Sequence, residues 1–133
     1  MIASNRGPLS FRRDGDDGPL VAKRGAGGLV SGLRPLAADT GATWISAAIS
    51  PGDREAAAQG VTEDDGLRVR MLALDPEAYR LAYDVVSNQA LWFVHHGLYD
   101  LPRAPAFGPD FRDAWQAYRQ VNAAFAEAVA EEA

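Results

Sequence analysis

A glycine-rich stretch at residues 24–33, Arg-Gly-Ala-Gly-Gly-Leu-Val-Ser-Gly-Leu, has the residue types and spacing best suited to chemistry. Three glycines fall within four residues, and an apolar pattern that predicts a helix follows them directly. Because glycine has no Cβ, the backbone can approach a ligand closely there, and the first N–H groups of a helix lack intrahelical partners. The stretch could therefore hold a phosphate or another negatively charged oxygen, or it could serve as a packing turn between a strand and a helix.

The same stretch does not match two familiar nucleotide-binding patterns. The dinucleotide pattern Gly-x-Gly-x-x-Gly, begun at Gly25 and Gly27, requires a third glycine where the sequence has Val30. The P-loop requires Gly-Lys followed by Ser or Thr, and the sequence contains no such triplet. A site here would therefore offer backbone N–H groups without a lysine or a Mg²⁺ apparatus, which suits a diphosphate or a sugar oxygen.

Arg6 and two aromatic residues are the side chains that could complete a sugar-phosphate site. Arg6 follows a short predicted strand, and its guanidinium can bind a phosphate with two hydrogen bonds, although a surface ion pair is the alternative. Tyr83 and Trp92 are nine residues apart, which puts them on opposite faces of a continuous helix. They could touch one ligand if the helix breaks between them, and the sequence predicts a break at residues 87–88. Such an aromatic pair is typical of sugar pockets, and core packing is the alternative.

The other tryptophans and the two histidines also have a structural interpretation. Trp44, at the end of a predicted strand, could line a ligand site or belong to the core. Trp115 lies on the apolar face of the last predicted helix and is assigned to the core. His95 and His96 are adjacent, so they point apart and cannot form an i, i+4 metal pair, and we interpret them as structural. No Ser-His-Asp or paired-carboxylate arrangement can be assembled from the sequence.

The hydrophobic patterning predicts alternating strands and helices, which define an α/β fold. Strands are expected at residues 2–3, 43–49 and 67–72, the last as an edge or half-buried strand, with a hairpin formed by residues 9–11 and 20–22. Helices are expected at residues 28–38, 53–59, 75–86, 89–96 and 111–131. Pro35 would bend or shorten the first helix, the second would lie on the surface, and residues 98–107 would form an irregular connector. The last helix has an apolar face formed by residues 111, 115, 118, 122, 125 and 129.

Composition and charge exclude several classes of protein. The chain has 133 residues, enough for one domain, with a net charge of −5 and no cysteine. Because the sequence has no basic block, sequence-independent binding to the nucleic-acid backbone is not expected. Because it has no cysteine, disulfides and thiolate metal sites are excluded. No apolar run approaches the ~20 residues of a membrane span, and the N-terminus lacks the apolar stretch of a signal peptide. We therefore expect a cytoplasmic protein without membrane or nucleic-acid partners.

Four motifs follow one another along the chain. They are Ser-Asn-Arg-Gly-Pro at 4–8, the glycine-rich stretch at 24–33, Tyr83 with Ser-Asn-Gln-Ala-Leu-Trp at 87–92, and Ala-Trp-Gln-Ala-Tyr-Arg-Gln-Val-Asn at 114–122. Together they resemble the N-terminal part of the trehalose-6-phosphate synthase family, in an actinobacterial form. The resemblance spans essentially the whole chain. It implies the Rossmann-like N-terminal half of a two-domain B-type glycosyltransferase fold, truncated, with residues 1–133 as a partial acceptor-side domain.

The resemblance also implies an activity and roles for individual residues. The family transfers glucose from UDP-glucose to glucose-6-phosphate with retention of configuration, giving trehalose-6-phosphate, and needs no metal or other cofactor. Arg6, Tyr83 and Trp92 would line the acceptor site, with Arg6 and Tyr83 on the phosphate. Trp44 would form a further wall of the same site. Gly27 and Gly28 would approach the donor through their backbone amides, and no catalytic residue is assigned.

The resemblance leaves part of such an enzyme outside this chain. The family's His-Asp-Tyr-His stretch and its C-terminal nucleotide-binding domain are absent, so the chain alone is not expected to catalyse the reaction. The full-length protein could form a homo-oligomer. Three alternatives stay open: a related synthase with another acceptor, such as a glucosylglycerol-phosphate synthase or a cyclitol pseudo-glycosyltransferase; a non-catalytic, synthase-like regulatory module; and a small independent binding protein.

Overall fold

The computed structural model describes residues 1–15, 18–64, 66–98, 105 and 107–133. These residues fall into two compact units, one formed by Met1–Ala73 with Phe125–Ala133 and the other by Leu74–Ala124. The tip of the predicted hairpin at 16–17 and most of the predicted connector at 98–107 lie outside the described residues. Within the described ranges, no helix has both the length and the apolar character needed to span a membrane.

The first unit contains six strands: β1 (Ile2–Ser4), β2 (Leu9–Arg13), β3 (Leu20–Arg24), β4 (Thr43–Ala47), β5 (Thr62–Asp64) and β6 (Leu67–Leu72). Four of them form a sheet in the order β1-β4-β6-β5, in which β1, β4 and β6 are parallel and β5 is antiparallel to β6. β2 and β3 form a separate antiparallel hairpin, as predicted. Parallel strands connected through helices are the Rossmann-like α/β arrangement, which confirms the predicted fold class. The sequence does not predict β5, because three residues are too few to show a periodic pattern.

β4 lies in the middle of the parallel part of the sheet and is buried along its whole length. Such burial is expected of a parallel strand that is covered on both faces. In β6, Leu67, Val69 and Met71 are buried and alternate with more exposed residues, so the strand is half-buried as its pattern predicts. The core cluster of this unit consists of Leu9, Phe11, Val30, Ala37, Trp44, Ala48, Ala56, Leu67, Val69 and Met71.

Two helices of the first unit, α1 (Gly28–Thr40) and α2 (Pro51–Ala58), follow β3 and β4. α1 continues past Pro35 and ends at Gly41, whose φ of 61° is the left-handed conformation that glycine adopts without strain. The predicted shortening of this helix at its proline is therefore wrong. α2 is not a purely surface helix, because Asp53 and Ala56 are buried where the helix packs against β2.

The second unit is helical, and its first part is one uninterrupted run of residues. α3 (Pro76–Arg80) leads into a π-helix (Leu81–Leu91) and then into α4 (Trp92–His95). Asp75 caps the start of the run, since its Oδ1 accepts a hydrogen bond from the Ala78 N–H at 2.8 Å. The predicted break at residues 87–88 is wrong. Ser87 instead donates its hydroxyl to the Ala82 carbonyl oxygen at 3.0 Å, so its local hydrogen bond lies inside the helical run and does not end it.

The last helix, α5 (Pro109–Glu132), has a different buried face from the predicted one. Its buried residues are Ala114, Ala117 and Ala128. Trp115 is 36% exposed, so its assignment to the core is wrong. It stacks instead between Phe111 and Tyr118, with ring centroids 5.9 and 5.1 Å away. The periodicity alone could not decide between the two faces, because the alanines repeat at the same spacing one residue away from the aromatic stripe.

Candidate functional site

Arg6 lies in the loop that follows β1, at the carboxyl ends of the parallel strands. Ser4, the last residue of β1, donates its hydroxyl to the Arg6 carbonyl oxygen at 2.8 Å. The Ala47 N–H donates to the Asn5 carbonyl oxygen at 3.3 Å, which ties the loop to the end of β4. The Arg6 side chain is exposed and forms no ion pair with any residue that the structure describes. Among these residues the Arg6 guanidinium therefore has no ion-pair partner, and its geometry suits an anionic ligand.

Trp44 lies in the core, which corrects its predicted position as a wall of the acceptor site. Its side chain is 0% exposed, and its Nε1–H donates to the Ser4 Oγ at 2.8 Å. A fully buried indole has no face to offer a sugar. Because Ser4 bonds in turn to the Arg6 backbone, Trp44 supports the loop of Arg6 from within the core.

Two glycines allow the loop of Arg6 to approach its neighbours closely. A Cβ at Gly7 would lie 2.4 Å from the Ser46 Oγ, and a Cβ at Gly25 would lie 2.8 Å from the Gly7 carbonyl oxygen. The Gly25 N–H also donates to the Pro8 carbonyl oxygen at 2.6 Å. The loop of Arg6 and the start of the glycine-rich loop are therefore in direct contact.

Gly27 and Gly28 form the open end of the glycine-rich loop. Gly27 is the N-cap residue of α1, and its φ of 133° belongs to a region that side chains with a Cβ avoid. Its carbonyl oxygen accepts the first hydrogen bond of the helix, from the Ser31 N–H at 2.9 Å. A Cβ at either glycine would meet no atom within 4 Å among the described residues. The N–H groups of the first turn lack intrahelical partners in this open region, as a seat for an anionic oxygen requires.

A cavity of about 490 Å³ lies beside this loop, between the end of β3 and α1. It is lined by Arg24, Gly25, Val30, Ser31, Arg34, Pro35 and Ala38. Among the described residues, this lining contains two guanidinium groups and no carboxylate, although the chain as a whole has a net charge of −5. Both arginines also interact with other groups of the chain. The positive end of the α1 dipole favours an anion at this end of the first unit.

Asp53, which we did not identify from the sequence, fixes the hairpin that carries the glycine-rich loop. Its Oδ1 accepts from the Phe11 N–H at 2.6 Å, and its Oδ2 accepts from the Ser50 N–H at 2.9 Å. The Asp53 N–H donates to the Ser50 Oγ at 3.0 Å, which completes a capping box. The Ser-x-x-Asp spacing signals this cap, whereas no local pattern signals the bond to Phe11 in β2. β3 pairs with β2 and leads directly into the glycine-rich loop.

The π-helix changes the relative placement of Tyr83 and Trp92. In an α-helix, nine residues at about 100° each leave the two side chains half a turn out of phase. In a π-helix each hydrogen bond reaches five residues back, as that from the Trp92 N–H to the Ser87 carbonyl oxygen does. Two of these wider turns take about nine residues. Tyr83 and Trp92 therefore lie near one face of a single helical run, without the break that was predicted between them.

Both aromatic side chains are held by ring contacts along this run. Tyr83 is half-buried and stacks on Tyr79, with ring centroids 5.8 Å apart and planes inclined by 10°. Trp92 stacks on His96, with ring centroids 4.3 Å apart and planes inclined by 28°. The Trp92 side chain is nevertheless 45% exposed. This exposure favours a ligand-binding interpretation of Trp92 over core packing.

Ion pairs outside the candidate residues shift the pKa values of Arg70, Glu77 and Arg80. The hydrogen bond to Glu131 raises the pKa of Arg70, and a second bond joins Arg70 to Glu132 at 3.2 Å. These bonds tie β6 to the end of α5. The hydrogen bond from Arg80 lowers the pKa of Glu77 in the first turn of α3, ahead of the π-helix.

The predicted site residues are divided between the two units. Arg6, Gly27 and Gly28 belong to adjoining loops of the first unit, and Tyr83 and Trp92 share a helical face in the second. That all five bind the substrates of one reaction stays a prediction. Among the residues that the structure describes, no three His, Cys, Asp or Glu side chains are grouped so that they could hold a metal ion.

These features define an α/β domain of Rossmann-like topology with an open glycine-rich loop beside the carboxyl ends of its parallel strands. The chain belongs to glycosyltransferase family 20, because the sequence model of that family matches residues 1–133.

Several trehalose-6-phosphate synthases are similar to the chain. The synthase of Mycobacterium sp. strain KMS is 35% identical over 130 residues, which cover 98% of this chain and 24% of the relative. The synthase of Mycolicibacterium smegmatis is 34% identical over 131 residues, with 98% and 24% covered. That of Mycobacterium ulcerans is 30% identical over 131 residues, with 98% and 25% covered. The chain therefore spans about a quarter of the length of the curated relatives it matches.

Proposed function

We propose that the protein to which this chain belongs transfers glucose from UDP-glucose to glucose-6-phosphate with retention of configuration, giving trehalose-6-phosphate. Its membership in glycosyltransferase family 20 and its similarity to trehalose-6-phosphate synthases support this proposal. The structural observation that carries it is the hydrogen bond of 2.6 Å from the Gly25 N–H to the Pro8 carbonyl oxygen. This bond joins the loop of Arg6 to the glycine-rich loop, so the loop with a side chain suited to phosphate contacts the loop with a backbone suited to a diphosphate.

Arg6, Tyr83 and Trp92 are the residues that we propose for the acceptor. The Arg6 guanidinium can donate two parallel hydrogen bonds to phosphate oxygens, and it forms no ion pair with a described residue. The Tyr83 hydroxyl would donate to the same phosphate. The exposed part of the Trp92 indole would stack on the sugar ring, because the face of a pyranose is largely apolar.

Gly27 and Gly28 are the residues that we propose for the donor. Their backbone N–H groups would bond to the diphosphate or to the transferring glucose at the positive end of α1. In the reaction, the bond between glucose C1 and the UDP oxygen breaks, and UDP leaves with the bonding electrons. A bond forms from C1 to the acceptor hydroxyl oxygen, whose proton passes to the departing UDP oxygen. Amides placed at the diphosphate would stabilise the negative charge that develops on UDP.

We further propose that the reaction needs no metal ion and takes place in the cytoplasm. Fixed amides and guanidinium groups can neutralise a diphosphate without Mg²⁺, and the absence of cysteine fits a reducing compartment. Activity that is unchanged by a chelator would support the first statement. Loss of activity with EDTA and its recovery with added Mg²⁺ would contradict it.

The experiment that tests the proposal uses the whole gene product with UDP-glucose and glucose-6-phosphate. We expect UDP release that depends on both substrates, together with a phosphorylated disaccharide of retained configuration detected by NMR. UDP release with another phosphorylated acceptor and none with glucose-6-phosphate would identify a related synthase. No UDP release above background with any sugar phosphate would exclude the enzymatic function.

A further inference from the structure

His96 makes two contacts with Trp92, and together they fix its imidazole ring. The ring centroids lie 4.3 Å apart with the planes inclined by 28°, and the His96 Nδ1 lies 2.7 Å from the Trp92 carbonyl oxygen. Because a carbonyl oxygen can accept but not donate, the Nδ1 atom carries the hydrogen of this bond. The imidazole is therefore anchored to the helix backbone by one edge while its face covers the indole.

The backbone at the end of α4 holds the histidine in this place. His96 is the C-cap residue, and its own N–H donates to the same Trp92 carbonyl oxygen at 3.1 Å. Gly97 follows with a φ of 63° and ends the helix. The histidine thus stands one helical turn after Trp92, where residues four apart meet on the helix surface.

We propose that His96 is a positioning residue for acceptor binding, which fixes the indole of Trp92 through a stacked, backbone-anchored imidazole. The inference rests on the proposed function, in which Trp92 binds the acceptor sugar. An indole that is 45% exposed would otherwise sample several rotamers, and ordering it on binding would weaken the affinity. Phe93 meets the indole edge-on, with ring centroids 5.1 Å apart, and the imidazole stacks on it, so the sugar would use the part of the indole that stays exposed. His96 itself does not touch the reacting atoms.

His95 provides a matched control within the same turn. It has the same side chain and is also exposed, but it makes no ring contact or side-chain hydrogen bond with any residue in the described ranges. A general effect of removing a histidine from the end of α4 would therefore be the same for both residues. An effect that depends on the stacked ring would be confined to His96.

The test measures steady-state kinetics of the whole gene product and of its Trp92→Ala, His96→Ala, His96→Phe, His96→Asn and His95→Ala variants. Trp92→Ala is expected to raise the KM for the acceptor at least tenfold. His96→Ala is expected to raise it about three- to tenfold, the range that one aromatic pair contributes, with the donor KM unchanged and kcat within a factor of two. His96→Phe keeps a ring and should stay within about twofold of the native protein, whereas His96→Asn keeps a donor without the ring and should resemble His96→Ala.

Combining Trp92→Ala with His96→Ala separates the inference from the proposed function. If His96 acts through the indole, its removal adds no further increase in acceptor KM once Trp92 is absent. An unchanged acceptor KM in Trp92→Ala would overturn the proposed role of Trp92. A clear effect of Trp92→Ala with no effect of His96→Ala, or equal effects of His95→Ala and His96→Ala, would overturn the positioning role alone. If His96→Ala does not fold, the test compares the acceptor KM of His96→Phe with that of His96→Asn. A larger increase in the Phe variant would contradict a role for the ring.

Discussion

The Nε1–H of Trp44 donates to the Ser4 Oγ at 2.8 Å, and the Ser4 hydroxyl donates at the same distance to the Arg6 carbonyl oxygen. Two hydrogen bonds therefore link a buried core residue to the backbone of an exposed arginine. The sheet register allows this link, because β1 and β4 run parallel and Ile2 lies opposite Trp44. The conformation of the loop that presents Arg6 thus depends on the core of the first unit.

Replacing Trp44 by phenylalanine tests this link. The Trp44→Phe variant keeps an apolar ring in the core but loses the N–H donor, so we expect it to be less stable by about 1–2 kcal/mol, the range of one hydrogen bond with some lost packing. The acceptor KM should rise several-fold while the donor KM stays unchanged, as measured on the whole gene product. Ser4→Ala should have a similar kinetic effect because it removes both bonds. Equal acceptor KM values in the native protein and both variants would show that the loop does not need this support.

Asp53 is expected to be one of the most sensitive positions for stability. Its carboxylate accepts hydrogen bonds from the Phe11 and Ser50 N–H groups and is buried, so Asp53→Ala leaves donors without partners. We expect a loss of about 2–4 kcal/mol in the free energy of unfolding, measured by denaturant titration. Asp53→Asn keeps one acceptor and should lose less. Asp39→Ala, at an exposed position of α1, is the control. If Asp53→Ala lowered the free energy of unfolding no more than Asp39→Ala does, the structural role of Asp53 would be contradicted.

Alanine variants of Gly27 and Gly32 separate two effects of glycine, namely its unusual backbone conformation in the loop and its low helix propensity. Gly27 has a φ of 133°, so Gly27→Ala should cost about 1–3 kcal/mol of stability and raise the donor KM. Gly32 lies inside α1 with open space around it, and Gly32→Ala should raise stability by about 0.5–1 kcal/mol without changing the donor KM. A Gly27→Ala protein with native stability and donor KM would show that the loop conformation is unimportant.

The ion pair of Glu77 and Arg80 predicts a pH dependence with a defined sign. The hydrogen bond from Arg80 lowers the pKa of Glu77 below its ordinary value of 4.5, so the folded state binds this proton less readily than the unfolded state. The pair therefore stabilises the folded state at pH values above the ordinary pKa of Glu77. This stabilisation is lost as the pH falls through the lowered pKa that Glu77 has in the folded state. The melting temperatures of the native protein and Glu77→Gln should differ slightly at pH 7 and converge in acid. Glu127→Gln, at an exposed position of α5, serves as the control, and a Glu77→Gln difference that grows in acid would contradict the pairing.

Much of the first unit was predictable because its signals are local. The hairpin, α1 and the parallel strands follow from runs of apolar residues bounded by glycine, proline and aspartate. The position of Trp44 was not predictable in the same way. A tryptophan at a strand can face the core or a ligand, and the outcome depends on Ser4, 40 residues away.

The second unit shows a different limit of sequence reasoning. Ser87 is read as a helix breaker because its side chain competes for backbone groups, yet here its hydroxyl bonds to the Ala82 carbonyl oxygen within a π-helix. The spacing of nine residues from Tyr83 to Trp92 is nevertheless visible in the sequence, and it fits two turns of a π-helix. The assumption of 3.6 residues per turn made that spacing look unfavourable.

The kinetics of the Arg6→Ala variant test the central claim most directly. Arg12→Ala is the matched control, because Arg12 is also exposed and forms no ion pair within the described part of the chain. In the whole gene product we expect Arg6→Ala to raise the KM for glucose-6-phosphate at least tenfold, consistent with the loss of a charge-assisted bidentate contact, while the KM for UDP-glucose changes less than twofold. Arg12→Ala should change neither value. An acceptor KM that is unaltered in Arg6→Ala would contradict the assignment of Arg6 to the acceptor phosphate.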